Sequence, residues 1–481
     1  MFKLAEKAVQ TAKKLGAEFA DVRVVSEREQ QFGVSKGGIT SADDSETLGL
    51  GIRVLYKGAW GFAASCVLSE PEVLRCARLA VEIARTGAAV NSVKTTLALE
   101  SAYQDSWQTP VTIDPFGVSV KEKLELLFEV DAVLRRDKRV INTASYLNFI
   151  RRHQWYASTE GSRLEQVFTI SGGAFSAYSS DGAQLQQRSY PAAHGGNAMQ
   201  AGYEHIAALD LPGNAERVRA EAVALLSAPH CPAGKTHLII GGNQLALQIH
   251  ESVGHASELD RVLGYEESYA GSSFATLEKL GKFRYGSKIV NLVADGTLPG
   301  GLATAGYDDD GVRMQRFHIV KDGILAGYMT NREFCARAGF KRSFGCNRAD
   351  GFASIPITRI NNLSLMPGEW DYNDLIAATE NGIVMDNNKS WSIDQKRLNF
   401  QFGAEIGWLV KKGKITGMVR NPTYQGITPE FWGSCDAVCN TNYWKLYSVN
   451  NCGKGQPGQR AMMTHASSPA RFKGVQVGVK A

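Results

Sequence analysis

The sequence has no long apolar run, no dominant sign of charge and no clustered cysteines. Each absence excludes something. Without an uninterrupted stretch of about 20 apolar residues, nothing qualifies to cross a bilayer as a helix, and no membrane partner is expected. Residues 1–16 carry charge every few positions and read as an amphipathic helix, not a secretory leader. The 53 basic and 48 acidic residues leave a net charge of only +5. No basic run with interleaved aromatics occurs, so no nucleic-acid partner is expected either. Eight cysteines scattered through 481 residues make no disulfide framework, which fits a reducing, cytoplasmic compartment. Repeats and low-complexity tracts are missing as well. Glycine, by contrast, is abundant at 49 residues, as suits many tight turns between strands.

This length allows two or three domains with a large core. Residues 2–15 predict a helix that stops at Gly16. Alternating segments follow at Ala20–Val25, Phe32–Ser35, Leu48–Val54 and Trp60–Ala63, with Lys36-Gly37-Gly38 and Lys57-Gly58 between them. They predict an antiparallel meander. A second helix covers 70–87, residues 88–115 form a connector, and a third helix covers 119–136. Strands recur at Val140–Ile150, His153–Ser158, Arg163–Ser171 and Phe175–Ser180. A helix over Asn214–Ser227, capped by Asn214, precedes the turn-rich breaker Ala228–Gly234. The fold class is α+β. An N-terminal domain, 1–228, has an antiparallel sheet with packed helices. A C-terminal domain, 229–481, is mainly β with few helical pieces, at Asn331–Ala338 and Asp371–Thr379.

One stretch in the second half carries chemistry: His250-Glu251-Ser252-Val253-Gly254-His255. The apolar strand His237–Ile240 leads into it, followed by a helix with Asn243 as N-cap. Zinc-peptidase helices place two histidines at i and i+4 around a glutamate. Here the spacing is i, i+5, which in a regular helix turns the second ring about 140° from the first. A π-bulge near Val253-Gly254 returns both rings to one side, and such bulges favour functional sites. Gly254 eases the distortion.

Two imidazoles hold zinc incompletely, because catalytic zinc generally takes three protein ligands and keeps one open position. Glu258 and Asp260 follow on the same segment, either as the third ligand or as groups that orient the imidazoles. Cys452, among glycines in Asn451-Cys452-Gly453-Lys454-Gly455, is another contender. Cys435 and Cys439 could bind metal if the segment is helical.

Four stretches together resemble the TldD/PmbA family of metallopeptidases, first described as modulators of DNA gyrase. They are Ala20–Phe62 with its following helix, and His250–His255 as His-Glu-x-x-x-His. Then come Asp295–Gly300 with Asp308-Asp309-Asp310-Gly311 and Asp322–Tyr328, and lastly Asn451-Cys452-Gly453-Lys454-Gly455-Gln456. Because both histidines, the glutamate and the cysteine are kept, the chain resembles the metal-binding, TldD-like type. It departs in having Ala256, where active relatives often have glycine beside the second histidine. The resemblance implies Zn2+ held by His250, His255 and Cys452, with Glu251 as general base. It implies hydrolysis of extended peptides or unfolded small proteins inside a dimer chamber. The dimer would be formed with an identical chain or with a PmbA-like subunit. The competing expectation is a non-catalytic, metal-stabilised subunit that binds peptides or completes a partner's chamber. A redox role for Cys435 and Cys439 lacks the Cys-x-x-Cys spacing.

Overall fold

The computed structural model describes residues 1–479. Its first half rests on four long antiparallel strands in the order Gly38–Tyr56, Phe19–Ser35, Val140–Ser158 and Arg163–Ser180. The predicted turn residues do turn. Lys36-Gly37 and Lys57-Gly58 have φ of +50, +76, +47 and +76°, the left-handed pairs of type I′ hairpins. Strand lengths differ from expectation, because polar stretches that look like breaks continue the ladder. Glu27 and Arg28 pair with Arg152 and Arg151 across the strands, and Arg152 Nε donates to Glu27 at 2.6 Å. The connector also contains a strand, Gln104–Gln108, which pairs in parallel with Arg163–Val167. Only the sheet edge it joins makes it a strand.

Helices Phe2–Lys14 and Glu70–Val90 cover part of this sheet. Their buried residues are mostly alanines, packed on Val22, Val24, Leu50 and Ile52. Short side chains bring backbone close to backbone. A second pair, Val120–Leu134 and Leu211–Ser227, packs on Phe32, Val34, Leu147, Phe149 and Phe175. Ser119 caps the first of these through Glu122 N–H at 3.1 Å. The second is capped by Asp210 and not by Asn214. Pro212, favourable in the first helical turn, lets the helix begin earlier.

In the second half, five strands close into a ring: Asn381–Ile393, Gly234–Ile240, Ala470–Val477, Thr423–Ile427 and Asn399–Lys411. Gly234–Ile240 lies between two partners and is covered on both faces. Leu238 and Ile240 enter the large core, and Ile239 enters a smaller one. That explains its unbroken apolar run. Asn331–Ala338 is not a full helix but one 3₁₀ turn, Cys335–Ala338. Here Asn331 caps Phe334 N–H instead of extending a helix. Tyr372–Ala377 is helical, with Asp371 as N-cap.

Buried charges join the halves. Arg53 reaches Asp21 at 2.5 Å and Asp310 at 2.7 Å. Arg188 Nη1 reaches Glu405 at 2.8 Å, and the Ser189 hydroxyl donates to the same carboxylate at 2.7 Å.

The close packing of helix Glu70–Val90 gives a test. A Cβ on Gly61 would lie 2.0 Å from the Ala80 carbonyl oxygen. Gly61→Ala must push the helix off the sheet, and it is expected to cost roughly 1–3 kcal/mol in urea unfolding, the usual range for overpacking.

Candidate metal centre

Helix Gly242–Ile249 begins where strand Gly234–Ile240 ends. Gly241, not Asn243, is its N-cap. Asn243 is drawn away by Asn387, to which it donates at 2.8 Å. The glycines are there for space: a Cβ on Gly242 would meet the Tyr447 hydroxyl at 2.6 Å. After Ile249 comes one π-helical turn, His250–Gly254, in which His255 N–H donates to the carbonyl of His250 five residues back. This is the bulge that the spacing requires. It brings the two ring centroids to 4.8 Å. Ser252 fixes the irregular turn. Its carbonyl accepts from the Tyr285 hydroxyl at 2.5 Å and its Oγ from the Trp432 indole at 3.0 Å. Gly254 has an ordinary helical φ of −55°. It is needed instead because a Cβ there would lie 2.8 Å from Ile360 Cδ1.

Cys452 arrives from the hairpin Lys445–Lys454 and Gln459–Ser467. A register irregularity between Val449 and Cys452 re-aims the chain at this point, as bulges near sites do. The thiol Sγ is 3.5 Å from His255 Nε2. One donor atom from each of His250, His255 and Cys452 lies within 4.8 Å of the others, and all three residues are buried.

The groups behind these donors settle their tautomers. His465 Nδ1 faces the Leu363 carbonyl at 2.7 Å, and its Nε2 faces His250 Nδ1 at 2.8 Å. A carbonyl only accepts, so His465 Nδ1 carries the proton. Burial pushes the His465 pKa far down, so the ring is neutral. Its Nε2 must therefore accept from His250 Nδ1–H, which leaves the His250 Nε2 lone pair free. His255 Nδ1 faces Glu258 Oε2 at 2.8 Å, an acceptor, so Nδ1 carries a proton and Nε2 is the atom turned towards the Cys452 thiol. Sequence reasoning missed His465, because nothing in Met462-Met463-Thr464-His465 marks it.

Glu258 is thus an orienting group. Its other oxygen lies 3.2 Å from Lys454 Nζ, which also donates to Asp260 Oδ1 at 2.7 Å and to the Thr358 carbonyl at 2.6 Å. Asp260 is committed to this ammonium and is no ligand candidate. Burial works to raise the Glu258 pKa, but Lys454 and His255 outweigh it and hold the carboxyl well below its usual range. For Asp260 burial prevails over the same lysine and lifts its pKa to about 6. For Cys452 burial pushes the thiol up, yet His255 and Arg359 together bring it below its ordinary value. Arg359 also donates to the Cys452 carbonyl at 2.6 Å.

Glu251 lies in the π turn and is 7% exposed. Arg397 Nη1 donates to its Oε2 at 2.6 Å. Burial would raise its pKa, but the neighbouring His250, His255 and Arg397 lower it, so the carboxylate stays ionised. Cys435 and Cys439 are not a helical pair. Strand Cys435–Val438 sends Cys435 into the large core and leaves Cys439 in the smaller one. The Asp308-Asp309-Asp310 triplet lies elsewhere, bonded to Arg53, Gln154 and the backbone of Asn347 and Ala349.

The chain matches the family models for the PmbA/TldA metallopeptidase domain 1 over residues 20–84, the central domain over 113–226 and the C-terminal domain over 233–478. It belongs to the PmbA/TldD family of metallopeptidases. A metalloprotease of Methanocaldococcus jannaschii is 29% identical over 437 residues, 91% of this chain and 92% of that one. A zinc metalloprotease TldD homolog of Saccharolobus solfataricus is 23% identical over 494 residues, 98% of this chain and 99% of its own. The solved structure of TldE from Thermococcus kodakarensis has a TM-score of 0.74 at 16% identity, over 99% of this chain and 100% of that one, which shows a shared fold. No helix among the described residues is long and apolar enough to cross a membrane.

Lys454 neutralises carboxylates that have no water to do so. Lys454→Met is expected to cost roughly 3–5 kcal/mol in urea unfolding, because it leaves buried charge unpaired. Without the ammonium the Glu258 pKa rises above its unfolded value, and that of Asp260, already raised to about 6, climbs further. Their protonated forms then favour folding, and stability is lost as pH rises through the folded pKa. The deficit should therefore narrow from pH 8 to pH 5. A deficit that is flat with pH would show that the lysine acts by packing alone.

Proposed function

We propose that this chain is a zinc-dependent peptidase of low sequence specificity, with His250, His255 and Cys452 as the metal ligands and Glu251 as general base. The observation that carries this reading is the convergence of three donor atoms within 4.8 Å from two segments about 200 residues apart. The donor set fits zinc. It offers two imidazoles, each with Nδ1 held by another group and Nε2 turned inward, and a thiol whose pKa is lowered, and borderline-soft N and S donors suit that ion. Glu258 is occupied by Lys454 and His255. That leaves three protein ligands, the number found in catalytic sites, where structural sites have four. A zinc ion bound there supplies Lewis acidity, which makes water nucleophilic near neutral pH.

The chain's own groups do the rest. Glu251 is ionised and next in sequence to the first ligand. It takes a proton from the attacking water and returns it to the leaving amine. His465 and Glu258 keep the imidazoles in the tautomers that face inward. Arg359 and His255 favour the thiolate of Cys452.

An extended peptide would bind by main-chain hydrogen bonds to a strand edge, which gives little sequence preference. The substrates we infer are extended peptides and unfolded small proteins. They would be admitted to a chamber closed by a second copy or by a PmbA-like subunit, in the cytoplasm. We place the domain division at residues 228 and 229. The two helix-on-sheet cores draw only on earlier residues, and the large core only on residues from Cys231 onward.

Glu251→Gln tests the role of the base directly. With bound zinc verified by elemental analysis, cleavage of an unstructured peptide should fall about 10²–10⁴-fold. Undiminished cleavage would remove Glu251 from the mechanism. Separately, His465→Phe removes the acceptor that fixes the His250 tautomer. It should weaken zinc binding about 10–100-fold in a chelator competition, while affinity equal to the wild type would show that the relay plays no part.

A further inference from the structure

A turn far along the chain reaches the base. The hairpin joining Asn381–Ile393 to Asn399–Lys411 ends in a tip formed by residues 394–398. Several contacts hold that tip. The Asp394 carboxylate accepts from Leu398 N–H at 2.8 Å and Asn399 N–H at 3.1 Å. Arg261, ten residues beyond Glu251, donates to the Gln395 carbonyl at 2.6 Å and is itself paired with Glu266 at 2.8 Å. Phe274 N–H donates to the Lys396 carbonyl at 3.0 Å, and the Thr428 hydroxyl to the Arg397 carbonyl at 2.9 Å.

Arg397 itself has φ of +64°, a left-handed conformation that non-glycine residues adopt at a cost. Its Nε is buried without a partner, which is a further cost. The same residue delivers its guanidinium to Glu251, where Nη1 meets Oε2 at 2.6 Å. The two side chains are 15% and 10% exposed, so water screens the contact little. The other oxygen, Oε1, accepts no hydrogen bond from the described residues.

We propose that Arg397 is the positioning residue for Glu251: it holds Oε2 so that Oε1 is the atom that takes and returns the proton. The inference rests on the peptidase reading above. The physical reason is the freedom of a glutamate side chain, whose carboxylate sweeps several ångströms when unrestrained. A short charge-assisted bond fixes both its rotamer and its rotation. The sequence distance, 146 residues between the two partners, puts control of the base on the hairpin tip and not on the site helix.

The test uses the zinc-loaded full-length protein and a fluorogenic unstructured peptide. Arg397→Met should lower kcat about 100-fold, the usual scale of a misplaced catalytic group. KM should stay within about threefold, with wild-type zinc content and a fully folded protein at the assay temperature, although the unpaired Glu251 lowers the melting temperature. Arg397→Lys, which keeps one charged donor, should regain about tenfold of that loss. Wild-type kcat in Arg397→Met overturns the proposal. So does a loss that lies in KM, or one that follows zinc content or unfolding at the assay temperature and is not regained by lysine. If Glu251→Gln keeps the wild-type rate, or the wild-type protein cleaves nothing, the peptidase reading falls. An inactive Glu251→Gln beside a fully active Arg397→Met removes Arg397 alone.

Discussion

An ammonium without access to water holds the centre of this molecule together. Lys454 stands two residues after Cys452, and its charge is met by Glu258 and Asp260, which follow His255. One ion-pair cluster thus fixes the late hairpin against the end of the site helix, and the thiol and the imidazole come with it. Glu258 belongs to both sides, since its second oxygen faces His255 Nδ1. Buried pairs of this kind are poor sources of net stability, because desolvation offsets much of their attraction. What they secure is register: any slip of the hairpin would strand a charge in the core.

The same device recurs between the halves. Arg53 between Asp21 and Asp310, and Arg188 with Glu405, are each nearly free of solvent. Apolar packing alone tolerates sliding, whereas a directed pair of charges does not. The halves therefore meet in one arrangement. The acidic triplet Asp308-Asp309-Asp310 works as a lock at this junction. Its carboxylates are spent on Arg53, Gln154 and backbone N–H groups.

Much of the chemistry was legible locally. The five-residue gap between His250 and His255 admits one side of a helix only through a π turn, and that turn is present. Glycine-marked hairpins, the helix stop at Gly16 and the apolar strand before the motif also carry their signals within a few residues. Other features had no such signal. Gln104–Gln108 is a strand because of an edge about 60 residues further on. Asn214 and Asn243 are good N-caps in isolation, yet Asp210 and Gly241 took those places. Gly254 was expected to ease a strained backbone, and it serves instead to admit Ile360.

The residues by themselves determined the bulge and the family, since these depend on short spacings and on the order of motifs along the chain. Which groups stand behind the donors was decided by the tertiary structure alone. His465, Lys454, Arg359 and Arg397 reach the site from separate strands and turns, and the protonation of a ring or the direction of a carboxylate depends on a partner across space. Hydrogen bonds and buried charges act over about 3 Å, whatever the separation along the chain. A one-dimensional pattern cannot encode contacts that only folding creates.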